Sequence, residues 1–353
     1  MPEPEVAARG DLVVIRPEGL YCPAGDFFID PWRPVPRAVI THAHADHARR
    51  GHGAYLATAV SEGVLRARLG AIALQGLAYG ERVMVNGVRL SLHPAGHVLG
   101  SAQVRIESGG QVWVASGDYF LSGHAGDSNT TCPPFEPVPC DCFITESTFG
   151  LPIYRWPAQA EVMAQINTWW QANADAGRAS LLLGYSFGKA QRLLAGVDAG
   201  IGPIYTHGAV EPLNEAYRAA GVALPATQWL APATPAQALR RALVVAPPSV
   251  LGSVWSRKLG DCSDAFASGW MQLRGARRRR GVDRGFVLSD HADWPGLQRA
   301  IAATGASRVI VTHGYEAVMV RWLRQQGLQA GSFSTEFGAQ DDEEAPAASA
   351  VVP

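Results

Sequence analysis

The chain has 353 residues, a formal net charge of −1, 47% apolar residues and 17% charged ones. That is long enough for two domains and has the balance of a folded globular protein, while the lack of any stretch of 18 or more apolar residues excludes a membrane-spanning helix. Near-neutral charge excludes a chain that holds nucleic acid by bulk basicity, so attraction to an anionic partner must come from a local patch.

The opening "MPEPEVAARGDLVV" has no basic segment followed by an apolar one, which predicts a cytoplasmic location. Short apolar runs broken by Gly, Pro and Asp fill the first 150 residues: "DLVVI", "DFFID", "RAVIT", "RLSLHP", "AQVRIES", "QVWVASGD" and "CFITES". They predict strands. After Trp156 the texture changes. "AQAEVMAQINTWWQAN", "GKAQRLLAGVDA" and "VEPLNEAYRAA" have helical spacing, and strand-like "SLLLGYS", "GPIYTH" and "ALVVAPP" alternate with them, an α/β pattern. Beyond the arginine-rich "RGARRRRGVDR", strands return with "RGFVLSD" and "SRVIVTH" around a helix near 294–303. An acidic, non-periodic tail follows from about Ala339 and is expected to be disordered. Without its four acids, residues 1–339 carry +3. Five cysteines, an odd number at spacings unsuited to a zinc knuckle, are expected to be buried thiols and not disulfides.

The ends of the apolar runs carry the chemistry. "FFI" ends in Asp30, "AVIT" in His42, "VWVASG" in Asp118, "FIT" in Glu146, "FVLSD" in His291 and "VIVT" in His313, while His97 follows "RLSL". Loops past strand ends are where sites collect in sheet proteins. Any one of these residues reads equally well as a polar loop residue. Six of the ten histidines at such places is a joint pattern that favours a metal site. The stretch "THAHADH" presents H-x-H-x-D-H, so His42 and His44 can face one cation while Asp46 and His47 turn to a second. Imidazole with a few carboxylates suits Zn²⁺. Asp118 is the natural bridge between two cations about 3.5–4 Å apart.

In order, "THAHADH", "HPAGHVLGSA", "SGDY" and a late "THG" resemble the metallo-β-lactamase fold. "TEST", "SDHAD" and "THG" resemble its nucleic-acid-processing β-CASP branch, and the resemblance covers roughly residues 11–338. The stretch "CPPFEPVPCDCFITESTFGLPIYRW" resembles bacterial ligase-associated DNA exonucleases, a group similar also to mRNA 3′-end processing factors. The fold class implied is α/β: a metallo-β-lactamase αββα sandwich over 1–155 and 286–338, with an α/β β-CASP domain inserted at 156–285. By the same resemblance one Zn²⁺ takes His42, His44 and His97, the other takes Asp46, His47 and His313, and Asp118 bridges them. Mn²⁺ is a candidate substitute. Asp30 buttresses the ligand loop. Glu146 and His291 hold the scissile phosphate and protonate the departing oxygen. The function implied is a DNA exonuclease of repair, leaving 5′-phosphates and acting alongside an ATP-dependent DNA ligase and a helicase. RNA is the alternative substrate, and a small-molecule ester or thioester hydrolase or an inactive binding subunit are readings of other classes.

Other features stay open between two readings. Arg274, Arg277, Arg278, Arg279, Arg280 and Arg284 form either a phosphate-binding rim or a solvated loop. "LLLGYSFGKAQRL" either offers Lys189 and a helix N-terminus to a phosphate or is a plain turn. His207 in "YTHG" lines a cleft or caps a helix, and His52, His93 and His124 match no motif. Trp169 and Trp170 fall at helical spacing and are expected in the core, whereas Tyr119 and Phe120 are placed beside Asp118 to meet substrate.

Overall fold

The computed structural model of the chain describes residues 10–122, 124, 127, 129–275, 278 and 281–335. The acidic tail, with Arg277, Arg279 and Arg280, lies outside the described residues. The described chain is a mixed α/β protein with three sheets in two compact units. One unit takes the described residues within 1–123, 132–155 and 291–353, the other those within 124–131 and 156–290.

The first unit has two sheets. In spatial order the six-stranded sheet runs Val14–Arg16, Gly19–Cys22, Phe27–Ile29, Arg37–Val39, Ala54–Thr58 and Leu74–Leu77. The seven-stranded sheet runs Gln329–Ser332, Arg308–Gly314, Cys142–Ser147, Gln111–Ala115, Ala102–Ser108, Val88–Pro94 and Arg82–Val85. Leu20, Phe27, Ile29 and Val39 of the smaller sheet share one core with Leu90, Val104, Ala115, Ile144 and Ile310 of the larger. On the larger sheet's other face, Val114, Phe143, Val309 and Val311 pack against Leu297, Ala300 and Ile301 of the helix Trp294–Thr304 and Met319 and Leu323 of the helix Glu316–Gln325. Successive strand residues therefore enter two different cores, which is why these runs read as continuously apolar. Burying each large apolar side chain contributes roughly 1.5–3 kcal/mol.

Three neighbouring strands of the larger sheet, Gln111–Ala115, Cys142–Ser147 and Arg308–Gly314, are mutually parallel, and their register aligns Ala115 with Ile144 and Ile144 with Ile310. Two or three residues beyond that row come Asp118, Glu146 and His313. Parallel pairing thus delivers three polar residues, distant in sequence, to one edge of one sheet.

The second unit is built on a parallel six-stranded sheet in the order Gln228–Trp229, Ile204–Thr206, Leu243–Ala246, Ala179–Leu183, Cys262–Ala267 and Arg284–Phe286. One face packs Leu182, Leu243, Val245 and Ala265 against Ile166, Trp169 and Trp170 of the helix Gln159–Asp175 and Leu193 of the helix Lys189–Gly196. Trp169 and Trp170 are core residues, as their spacing predicts; their indole N–H groups donate to Ser263 Oγ and the Arg241 carbonyl at 3.1 and 2.9 Å.

Two sequence readings need correction. The strand Arg284–Phe286 does not rejoin the first unit: it pairs in parallel with Cys262–Ala267. An apolar run carries no record of its pairing partner, and edge position is decided by the assembled sheet. Tyr119 and Phe120 are buried rather than facing a substrate, and the Tyr119 hydroxyl lies 2.9 Å from Thr145 Oγ1. Burial drives that phenol's pKa far up. No disulfide joins the five cysteines; Cys22 and Cys142 are buried, while Cys132, Cys140 and Cys262 are half-buried. Burial pushes Cys140 and Cys142 up to about 12, which makes both poor nucleophiles.

Candidate active site

Asp30 begins the site. It follows the strand Phe27–Ile29 with φ of 43°, a left-handed conformation that turns its carboxylate back over the next ligand loop. Thr41 donates to it twice, from N at 2.7 Å and from Oγ1 at 2.5 Å, and His47 Nδ1 lies 2.7 Å from its Oδ2. With its Nδ1 held by a carboxylate, His47 presents Nε2 to the interior. Gly117 lets the Asp118 loop approach: its φ is +55°, and a Cβ there would sit 2.6 Å from Thr41 Oγ1.

Four side chains converge on one point. His44 Nδ1 lies 3.0 Å from His42 Nε2 and 3.1 Å from His97 Nε2, and Asp118 Oδ2 lies 3.4 Å from His42 Nε2. The ligand atoms of all four fall within 4.8 Å of one another. Three imidazole nitrogens at this separation cannot all be satisfied by hydrogen bonds among themselves, since each neutral ring has a single N–H. A cation accepting all their lone pairs fits the donor set, and three His with one carboxylate suits a borderline-soft divalent ion. Burial, reinforced by the neighbouring His47, holds His42 well below the usual histidine pKa, in the neutral form a metal requires.

A second group adjoins the first. His47 Nε2 is 3.2 Å from Asp118 Oδ2 and 3.5 Å from Asp46 Oδ2, and His313 Nε2 is 3.2 Å from Asp118 Oδ1. The two oxygens of Asp118 therefore face different histidines, the arrangement a bridging carboxylate needs. Burial alone would raise Asp118, but His47 and His291, with hydrogen bonds from His313 and His47, outweigh it and hold the carboxyl well below its usual range. Burial also opposes charge on His47; Asp118, Asp46 and Asp30 override it and raise that pKa well above normal. Glu146 joins Asp118 and His313 in a further candidate ligand group.

Glu146 and His291 form a buried pair. Both Glu146 oxygens lie within reach of His291 Nδ1, at 3.1 and 2.9 Å, and Oε1 also accepts from the Tyr119 backbone N–H at 2.8 Å. The carboxylate is thereby fixed from one side and fixes the imidazole on the other.

Of the expected site residues, the structure brings together His42, His44, Asp46, His47, His97, Asp118, His313, Glu146 and His291, with Asp30 behind them. It does not bring Lys189 to a surface. That side chain is buried, with Nζ 2.8 Å from the Leu288 carbonyl and 3.1 Å from Asp290. Its reading as a phosphate ligand is corrected because its charge is spent inside the second unit. Arg274 and Arg278 are exposed, and Arg284 lies over the Phe286 ring. His207 packs on Trp255 at 4.9 Å and its Nδ1 accepts from the Ala209 N–H, a loop-capping role. His52, His93 and His124 pair with the Val35 N–H, Glu136 and the Trp156 carbonyl respectively. Sequence reasoning misses Thr41 and Ser101. Ser101 Oγ accepts the N–H groups of His97 and Val98 and so shapes the His97 loop. The serine in "HVLGSA" four residues after the histidine is the only signal that could have found it.

Fold and donor set together define a mixed α/β protein with a candidate metal centre of the histidine–carboxylate type. The chain is 33% identical over 316 residues to a probable DNA ligase of Opitutus terrae, covering 88% of this chain and 30% of that protein. It is 31% identical over 127 residues to the endoribonuclease YSH1 of Yarrowia lipolytica, covering 35% of this chain and 14% of that one. The chain thus spans under a third of the length of either relative. A crystal structure of a protein of unknown function from Enterococcus faecalis V583 aligns with a TM-score of 0.55 at 13% identity, over 78% of this chain and 74% of that one, a likeness of fold alone. No family model matches the chain. Both relatives are named as enzymes that act on nucleic acid, and the clustered histidines and carboxylates of this chain could hold a metal ion.

Proposed function

We propose that the chain is a metal-dependent phosphodiesterase acting on nucleic acid, and more narrowly a two-zinc DNA exonuclease of repair. The observation that carries this reading is the juxtaposition of the His42–His44–His97–Asp118 cluster with the hydrogen-bonded Glu146–His291 pair. In this proposal the first unit is the αββα metallo-β-lactamase domain, and the second unit, which holds the strand Arg284–Phe286, is the inserted β-CASP domain. His42, His44 and His97 would hold one Zn²⁺, Asp46, His47 and His313 the other, and Asp118 both, with Mn²⁺ able to replace them.

When bound, such a pair of cations acidifies a water and offsets charge on phosphate oxygens. The chain supplies the rest. Asp30 and Thr41 orient His47 and the ligand loop. Glu146 accepts from His291 Nδ1, so His291 offers Nε2 to the departing sugar oxygen and gives it a proton there. The buried carboxylate sustains the positive charge of that imidazole before transfer.

The name of the ligase-like relative is in keeping with DNA as substrate, and that of YSH1, an endoribonuclease, with RNA as the second reading; an ATP-dependent ligase and a helicase as companions, and 3′-end processing of RNA, rest on the sequence resemblance. One experiment separates them. Metal-analysed protein is given end-labelled single- and double-stranded DNA and RNA, each with one end blocked. Mononucleotides released from one end of DNA support the proposal. Cleavage of RNA alone replaces it with the second reading, and cleavage of neither sinks both.

A further inference from the structure

Beyond Phe286 the third sheet's last strand ends, and residues 287–289 form no ladder pairing before His291. Two buried cations of one helix supply donors to the carbonyls of Leu288 and Ser289. Lys189 Nζ donates to the Leu288 carbonyl at 2.8 Å, and Arg192 Nη1 to the Ser289 carbonyl at 2.6 Å. The same two groups grip the Asp290 carboxylate, each at 3.1 Å, one on each oxygen. Gln159 Oε1 accepts from Arg192 Nε at 2.7 Å. Lys189 and Arg192 are each 1% exposed and Asp290 5%.

This is a costly construction. Burying two cations incurs a desolvation penalty, and Lys189 begins its helix, where the macrodipole opposes positive charge. Gly184 makes room for it, since a Cβ there would lie 2.9 Å from Lys189 Cγ. Apolar side chains would fill the volume at less expense. What this network achieves is to hold the carbonyls of Leu288 and Ser289 and both carboxylate oxygens of Asp290, and the next residue in the chain is His291.

We infer that Lys189 and Arg192 are positioning residues that act through the 288–290 segment to set the His291 imidazole against its leaving oxygen. The inference deepens the proposed function and rests on it. It predicts a leaving-group signature: Lys189→Met matters where the departing oxygen needs a proton and not where it leaves unaided. On a single-stranded oligonucleotide, turnover of the metal-loaded Lys189→Met protein should fall roughly 30- to 100-fold, within the range of lost general acid catalysis. On bis(p-nitrophenyl) phosphate it should fall less than about threefold. Arg192→Lys, which keeps a cation near Ser289, should retain more oligonucleotide turnover than Arg192→Met. Combining Lys189→Met with His291→Ala should be no slower than His291→Ala alone, because one residue works through the other.

Equal loss on both substrates, or additive loss in the double variant, overturns the inference and leaves the nuclease reading intact. A parent protein that hydrolyses neither substrate overturns the nuclease reading and this inference with it. Should Lys189→Met fail to fold by circular dichroism, Asp290→Asn gives the same two-substrate comparison with the segment's shape retained. Equal losses there count equally against it.

Discussion

The tripeptide Thr-His-Gly occurs at the end of a strand in each unit, and the two histidines have different fates. His313 lies near the end of the second strand from the edge of the seven-stranded sheet and faces Asp118 at 3.2 Å. His207 follows the second strand from the edge of the other sheet and packs on Trp255. Burial, with Lys258 nearby, lowers the His207 pKa. Even the threonines differ: Thr312 Oγ1 contacts His313 Nδ1 at 3.1 Å, whereas Thr206 Oγ1 donates to Glu211. The contrast teaches that a motif becomes a site only where neighbouring strands bring complementary groups to the same edge.

The strongest way to break the comparison is to remove its hub. Asp118→Asn should abolish stoichiometric metal by elemental analysis and cut nuclease turnover by on the order of 10³-fold. His207→Ala should leave both unchanged and shift the urea midpoint by the equivalent of about 1 kcal/mol or less. Metal loss in the His207 variant instead would erase the distinction. Next in size, His291→Ala should retain its metal while turnover falls about 10²- to 10⁴-fold; parental rates would remove His291 as proton donor. Gly117→Ala should cost about 1–3 kcal/mol in chemical denaturation, because φ of +55° and the close approach to Thr41 both penalise a Cβ.

Two smaller effects sharpen the picture in the second unit. Replacing Arg277–Arg280 with Ser should flatten the salt dependence of oligonucleotide binding by about 0.7 in log–log slope for each phosphate that the arginines neutralise; an unchanged slope assigns the run to solvent. The smallest concerns Glu211. Burial would raise its pKa, but hydrogen bonds from Thr206, Thr227 and Arg218 prevail and lower it. A folded-state pKa below the unfolded one means stability that is present above the unfolded value and lost as pH falls through the folded one. Glu211→Gln should therefore be destabilised by about 1 kcal/mol at neutral pH. That deficit should shrink below the usual glutamate range in urea titrations, and a deficit that is constant with pH would count against the charge-dependent account.

Much of the candidate site is legible in the sequence because its side chains are chemically distinctive and follow apolar runs. Asp30, His42, Asp118 and His313 each stand directly after such a run, and H-x-H-x-D-H is dense enough to stand out against ordinary loops. Lys189 is not legible in this way. Its glycine-flanked loop reads as an anion cradle, yet its partner Asp290 is 101 residues away and no local pattern pairs them. Tyr119 and Phe120 sit beside Asp118 in sequence but turn into the core, since adjacent residues leave a strand end in different directions.

By itself the sequence determined the α/β alternation, the helical burial of Trp169 and Trp170, and the inventory of histidines and carboxylates at strand ends. These follow from periodicity and residue chemistry, which act over a few positions. Only the tertiary structure decided which strands are parallel neighbours, and so that Asp118, Glu146 and His313 share an edge. It also decided that Arg284–Phe286 joins the other sheet and that Lys189 and Arg192 hold the residues before His291. Those outcomes depend on pairing and burial between segments far apart along the chain, where the free energy of an interaction belongs to both partners and is written in neither alone.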